Sequence, residues 1–108
     1  MEQRAADISR PVTLRAQPIV EHAELPGGGT VAVWVGVPED PYIDRRELTS
    51  VDLQLHEGAN VLASVTTVLE PSQDSEARQL AREVRRAIEA GEMPLTAAAL
   101  EPFADRLR

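Results

Sequence analysis

Between residues 11 and 69, apolar and polar residues alternate with a period of two in several stretches, and beyond them the period lengthens to that of a helix. The clearest stretch is residues 30–37, where Val31, Val33, Val35 and Val37 fall on one side. Ala32, Trp34 and Gly36 fall on the other, so both faces are apolar and the pattern predicts a central strand, or one covered on both sides. Before it, Val12, Leu14 and Ala16 alternate with Thr13, Arg15 and Gln17, and Ile19, Glu21, Ala23 and Leu25 resume the alternation after Pro18. Proline cannot donate to a sheet ladder, so residues 11–25 read as an edge strand or as two short strands around a bulge. The glycines at 27–29 make the turn into the next strand.

After a polar loop, residues 38–47, Val51, Leu53 and Leu55 alternate with Asp52, Gln54 and His56, the signature of a strand with one wet face. Residues 57–60, Glu-Gly-Ala-Asn, form a turn, and residues 61–69 return as a Val- and Thr-rich strand. These last two strands make the firmest hairpin in the sequence.

Pro71 closes the sheet. Ala77, Leu80, Ala81, Val84 and Ile88 then recur at helical spacing, with Ser72 or Asp74 as the expected N-cap and Glu76 complementing the dipole of the first turn. Gly91 ends this helix and Pro94 prevents its continuation. A second segment from about Thr96 carries Leu100, Phe103, Ala104 and Leu107 as its stripe, and Pro102 is expected to break or kink it unless it opens a separate short helix. The expected fold class is therefore α+β: a meander-like antiparallel four-stranded sheet, then a C-terminal helix and a second short helix packed on one face. Residues 1–10 are expected to be a flexible tail and residues 11–108 a single domain.

Composition changes this picture little. The 108 residues are 43% hydrophobic and 27% charged, ordinary for a globular domain, but with one Trp, one Tyr and one Phe the core must be aliphatic. Cysteine is absent, which removes disulfides, thiolate nucleophiles and cysteine-based metal sites. The polar opening residues offer no signal-peptide core, and the longest apolar run falls well short of the roughly 20 residues a transmembrane helix needs. A cytoplasmic location is the expectation. Every basic residue is arginine, which points to a GC-rich bacterial genome. The net charge of −7 opposes binding to phosphate backbones or anionic lipid, and accounts for solubility without further function.

No motif names a reaction. The glycines at 27–29 precede a strand, with no helix N-terminus or Lys-Ser/Thr pair to hold a phosphate, so a hairpin connection is the reading. His22 and His56, with nearby carboxylates, could build a metal site only if their strands were adjacent, which a meander denies; two solvated histidines are expected. There is no G-x-S-x-G elbow, and Thr66 and Thr67 read as β-formers. No catalytic residue, metal ligand or cofactor is assigned.

Two stretches are candidate binding surfaces. The 38–47 loop sets Tyr42 beside Arg45 and Arg46, residue types enriched at interfaces; the alternative is that Tyr42 caps one end of the core. Arg78, Arg82, Arg85 and Arg86 project from one flank of the main helix, where Asp74, Glu76, Glu83 and Glu89 neutralise them. The sequence points to a non-enzymatic protein-interaction module or accessory subunit, working with a protein partner or as a homodimer. The rival is a small-ligand or metal-binding domain, catalytic only in an assembly. Nucleic acid is disfavoured as a partner and no membrane role is expected.

Overall fold

The computed structural model describes residue 14, residues 17–44 and residues 47–105. Four strands come first, β1 (Ile19–Glu24), β2 (Thr30–Gly36), β3 (Asp52–Glu57) and β4 (Asn60–Thr66). Two helices follow, α1 (Asp74–Glu89) and α2 (Ala97–Asp105). The strands pair antiparallel in the order β1-β2-β3-β4, a meander, so the expected α+β class with a meander-like sheet holds. The proposed tail, residues 1–10, lies outside the described residues, as do Val12, Ala16, Arg45, Arg46 and Leu107.

Alternation dictates which side chains go in. Register sets Ile19, Val35, Leu53 and Val65 side by side in one row, and Glu21, Val33, Leu55 and Ala63 in the next. Apart from the half-buried Ile19 and Glu21, both rows are fully buried, and Ala23 and Val31 extend the apolar surface. α1 lies over β1 and β2, and α2 over β4. The stripe read from the sequence, Ala77, Leu80, Ala81, Val84 and Ile88, is buried in full. Burying Leu80, Val84 and Ile88 contributes roughly 1.5–3 kcal/mol each. No helix among the described residues is long and apolar enough to cross a membrane.

Polar contacts fix the helix on the sheet. Arg85 reaches Glu21 in the inner row of β1 at 3.2 Å, and its Nε lies 3.9 Å from Glu89. Glu89 in turn accepts the Glu24 backbone N–H at 3.2 Å. At the end of β4, the buried Thr67 hydroxyl donates to the Val51 carbonyl at 2.7 Å and accepts the Leu69 N–H at 3.1 Å. It thereby closes the sheet where the ladder stops.

Three local expectations change. β1 begins only after Pro18; Leu14 lies in a turn, buried, with its N–H on the Pro71 carbonyl at 2.9 Å. Of the alternation before Pro18, the described residues Leu14 and Gln17 are not in a strand. Neither Ser72 nor Asp74 caps α1. Gln73 holds the N-cap position without a side-chain cap, its amide instead accepting the Glu70 N–H at 2.8 Å and donating to Glu76 at 3.4 Å. Pro102 does not break α2, which runs through it. The loss of one backbone bond there is offset by Thr96, whose hydroxyl accepts the Ala99 N–H at 3.2 Å, and by burial of Leu100 and Ala104. Of the two readings of β2, the central one holds: it is interior in the sheet, and among the described residues helices cover one face, with Ala32 and Trp34 partly exposed on the other.

The C-terminus of α1 is as read. Gly91 takes φ +71° and donates to Ile88 O at 3.0 Å, while Glu92 donates to Ala87 O at 2.9 Å, the paired bonds of a Schellman cap.

Because Val84, on the inner stripe of α1, is wholly buried between the helix and the sheet, Val84→Asp should cost on the order of 3–5 kcal/mol, most of the stability of a domain this size. A thermal melt of the variant close to the parent's would show that α1 does not depend on this contact.

Candidate functional site

The face of the sheet away from the helices carries the even-numbered residues, and one row of them departs from an ordinary wet surface. On β3, Asp52, Gln54 and His56 stand two residues apart on this face and are half-buried. His56 Nε2 donates to Gln54 Oε1 at 2.6 Å, since an amide oxygen can only accept. The Gln54 side chain also hydrogen-bonds Asp52, as does the Thr66 side chain directly across on β4. The Gln54 amide is thus held between a carboxylate and an imidazole, which fixes its orientation.

Trp34 sits opposite Gln54 on β2, and its indole stacks on the His56 ring, with centroids 5.8 Å apart and planes 24° from parallel. The other end of the ring is seated by Gly36. A Cβ added at Gly36 would lie 2.8 Å from Pro18 Cβ and 3.1 Å from Trp34 Cζ2. Glycine is required there because proline and indole occupy the space of a side chain. Around this cluster the face is partly apolar: Val20 beside Trp34 is 42% exposed, and Val61 and Leu62 near His56 are 56% and 39% exposed. The last two are brought together by a bulge, in which Leu62 is inserted between the partners of Leu55 and His56.

Burial raises the Asp52 pKa above its ordinary 3.8, against the lowering effect of the hydrogen bonds from Thr66 and Gln54. A carboxyl whose folded pKa is raised holds its proton more tightly in the folded state, so its ionisation subtracts stability as pH rises through that pKa.

The residues singled out from sequence are elsewhere. Tyr42 is 94% exposed, which rules out its capping the core; its backbone N–H closes onto Asp40 Oδ1 at 2.9 Å. A hollow of about 240 Å³ lies beside it, lined by Glu39, Asp40, Pro41, Ile43 and Leu48. Of the helix arginines, Arg78, Arg82 and Arg86 are exposed, and Arg78 and Arg82 line an open groove with Ser75, Glu76 and Gln79. Arg85 is spent on Glu21 and Glu89 and holds the fold. The groove and the loop hollow share no residue.

His22 and His56 both pair with Ala32, one from each side, so they share the open face two strand spacings apart, ~10 Å. His22 is exposed as expected, whereas His56 is committed to the indole and to Gln54. Among the described residues no cluster of three or more His, Cys, Asp or Glu could hold a metal ion. Sequence reading passed over the Asp52–Gln54–His56 row because a polar row on a strand normally means solvent. The available signal was Trp34, the sole tryptophan, placed on the opposite parity from the valines of its strand.

Comparison of the chain with protein-family models, with curated proteins and with solved structures finds no match in any of the three.

Two measurements follow. Asp52→Asn should melt at or above the parent at neutral pH, and the difference should shrink as pH falls towards 3.8 and the parent's carboxyl takes up its proton. A variant less stable than the parent at neutral pH would contradict the burial penalty. Gly36→Ala should displace Pro18 or the indole, lowering the melting temperature and shifting the emission of Trp34; unchanged emission would show that the ring is not held there.

Proposed function

We propose that this chain is a non-enzymatic protein-interaction module whose recognition surface is the open face of the sheet, centred on Trp34 and His56. One observation carries the reading: the only tryptophan lies on the uncovered face instead of in the aliphatic core, and is braced there by a stacked imidazole and a glycine seat. A half-buried indole with a fixed orientation offers large contact area at little entropic cost, which is why tryptophan is enriched among residues that dominate binding energy. Val20 and Leu62 supply an apolar surround, and the Asp52–Gln54–His56 row supplies oriented hydrogen-bonding groups. The reading takes the protein to be cytoplasmic, as its cysteine-free, acidic composition suggests.

A second reading rests on the loop. Tyr42 is almost fully exposed beside the hollow over Leu48, which suits a small ligand or a different partner surface.

The two readings separate in one experiment. Tagged parent, Trp34→Ser and Tyr42→Ala proteins are used to capture partners from source-cell lysate, with thermal melts as the control for folding. The face reading expects a stoichiometric partner retained by Tyr42→Ala and lost, by at least about tenfold in affinity, with Trp34→Ser. Loss with Tyr42→Ala and retention with Trp34→Ser would move the site to the loop.

A further inference from the structure

A meander of four strands has two edges, and in this chain they are built differently. β1 begins directly after Pro18 and carries two carboxylates, Glu21 and Glu24. Two copies pairing through β1 would bring these acids together, on molecules that each already carry a net charge of −7. β4, Asn-Val-Leu-Ala-Ser-Val-Thr, has no charged residue and no proline. It therefore lacks the usual devices that keep a sheet edge from pairing, apart from the bulge at Leu62.

Past that bulge the ladder is regular. Thr67 N–H donates to Val51 O at 2.8 Å, so Thr67, Val65 and Ala63 turn their backbone groups towards β3. By the same alternation Ser64 and Thr66 turn their N–H and C=O groups outward, where no described strand pairs with them.

We infer that the β4 edge is a docking surface for a second copy of this chain, joined antiparallel about a two-fold axis at Val65. In this register Ser64 of each copy exchanges both backbone hydrogen bonds with Thr66 of the other. Val65 meets Val65 on the inner face, which continues the buried row of Ile19, Val35, Leu53 and Val65 from one copy into the next. Ser64 and Thr66 face each other on the outer side, uncharged and small. The second copy is favoured over a basic partner because the strand presents no carboxylate to attract one, and over an acidic partner because it presents no cation. The contact is isologous and uses both β4 edges, so it closes at a dimer and leaves the acid-bearing β1 edges outside. It goes beyond the reading of the open face and does not depend on it, since Trp34 is two strands away from β4.

Analytical ultracentrifugation of the full chain from ~1 μM to ~1 mM, at low and moderate salt, tests the inference. The parent should dimerise, and more tightly at the higher salt, because screening relieves repulsion between two acidic molecules. Ser64→Pro removes only an outward N–H, and Ser64→Lys sets a hydrated ammonium on the edge. Each should weaken the dimer by at least about tenfold while melting like the parent's monomer. Ser64→Lys makes the molecule less acidic, so net charge alone would predict the opposite change. Should Ser64→Pro fail to fold, Ser64→Lys decides. A parent that stays monomeric throughout overturns the inference, as does a dimer that survives Ser64→Lys. A dimer lost with Trp34→Ser and kept with Ser64→Lys would place the second copy on the open face instead. Partner capture by Ser64→Lys remains a separate readout of the face itself.

Discussion

The contact between the α1 stripe and the inner rows of the sheet is the one on which the other features depend. Ala77, Leu80, Ala81, Val84 and Ile88 need an apolar surface, and Ala23 of β1 with Val31, Val33 and Val35 of β2 supply it. Strand geometry then leaves no freedom for the alternate residues: with Val33 and Val35 inward, Trp34 must point outward. A slip of one residue to bury the indole would expel the valines of the same strand, at a cost far above what one tryptophan gains. The composition of the open face is thus tied to the core, and only the detail of that face is free to vary.

Much of this was legible in the sequence, because periods of two and of 3.6 survive any tertiary context that buries one side. The β3–β4 hairpin, the α1 stripe and the Gly91 cap follow from such patterns. What was not legible depended on distant partners. The alternation of Leu14 looks the same as that of Ile19, but Leu14 is tied to Pro71, a contact between residues far apart in sequence. Pro102 is a helix breaker by local rule, yet Leu100 and Ala104 on either side of it are buried against the sheet and hold the helix through it. At the candidate site, the polar row of β3 was readable as polar. That Gln54 bridges Asp52 and His56, and that His56 lies under an indole from the next strand, is a matter of register. Tyr42 and the helix arginines drew attention by residue type alone, and the structure separates them, with Arg85 consumed by an ion pair.

The sheet has two kinds of uncovered surface, and they are chemically unlike. Its open face offers an aromatic ring with oriented polar neighbours, while its β4 edge offers bare backbone. A single helical layer on a short meander produces both at once, because neither α1 nor α2 reaches around the sheet. The β1 edge, with Pro18, Glu21 and Glu24, shows what a guarded boundary looks like in the same molecule.

The ion pair between Arg85 and Glu21 bears on how the helix is placed. Valine, leucine and alanine stripes are nearly featureless along their length, so helix and sheet could slide past each other by a turn and still bury similar area. A guanidinium that must meet a carboxylate in the inner row of β1 removes that ambiguity. Half-exposed, the pair adds little to stability, ~0–1 kcal/mol, and its worth is as an index mark. Homologous chains that drift in core composition could keep α1 in the same place by retaining these two charges, or by exchanging their signs together.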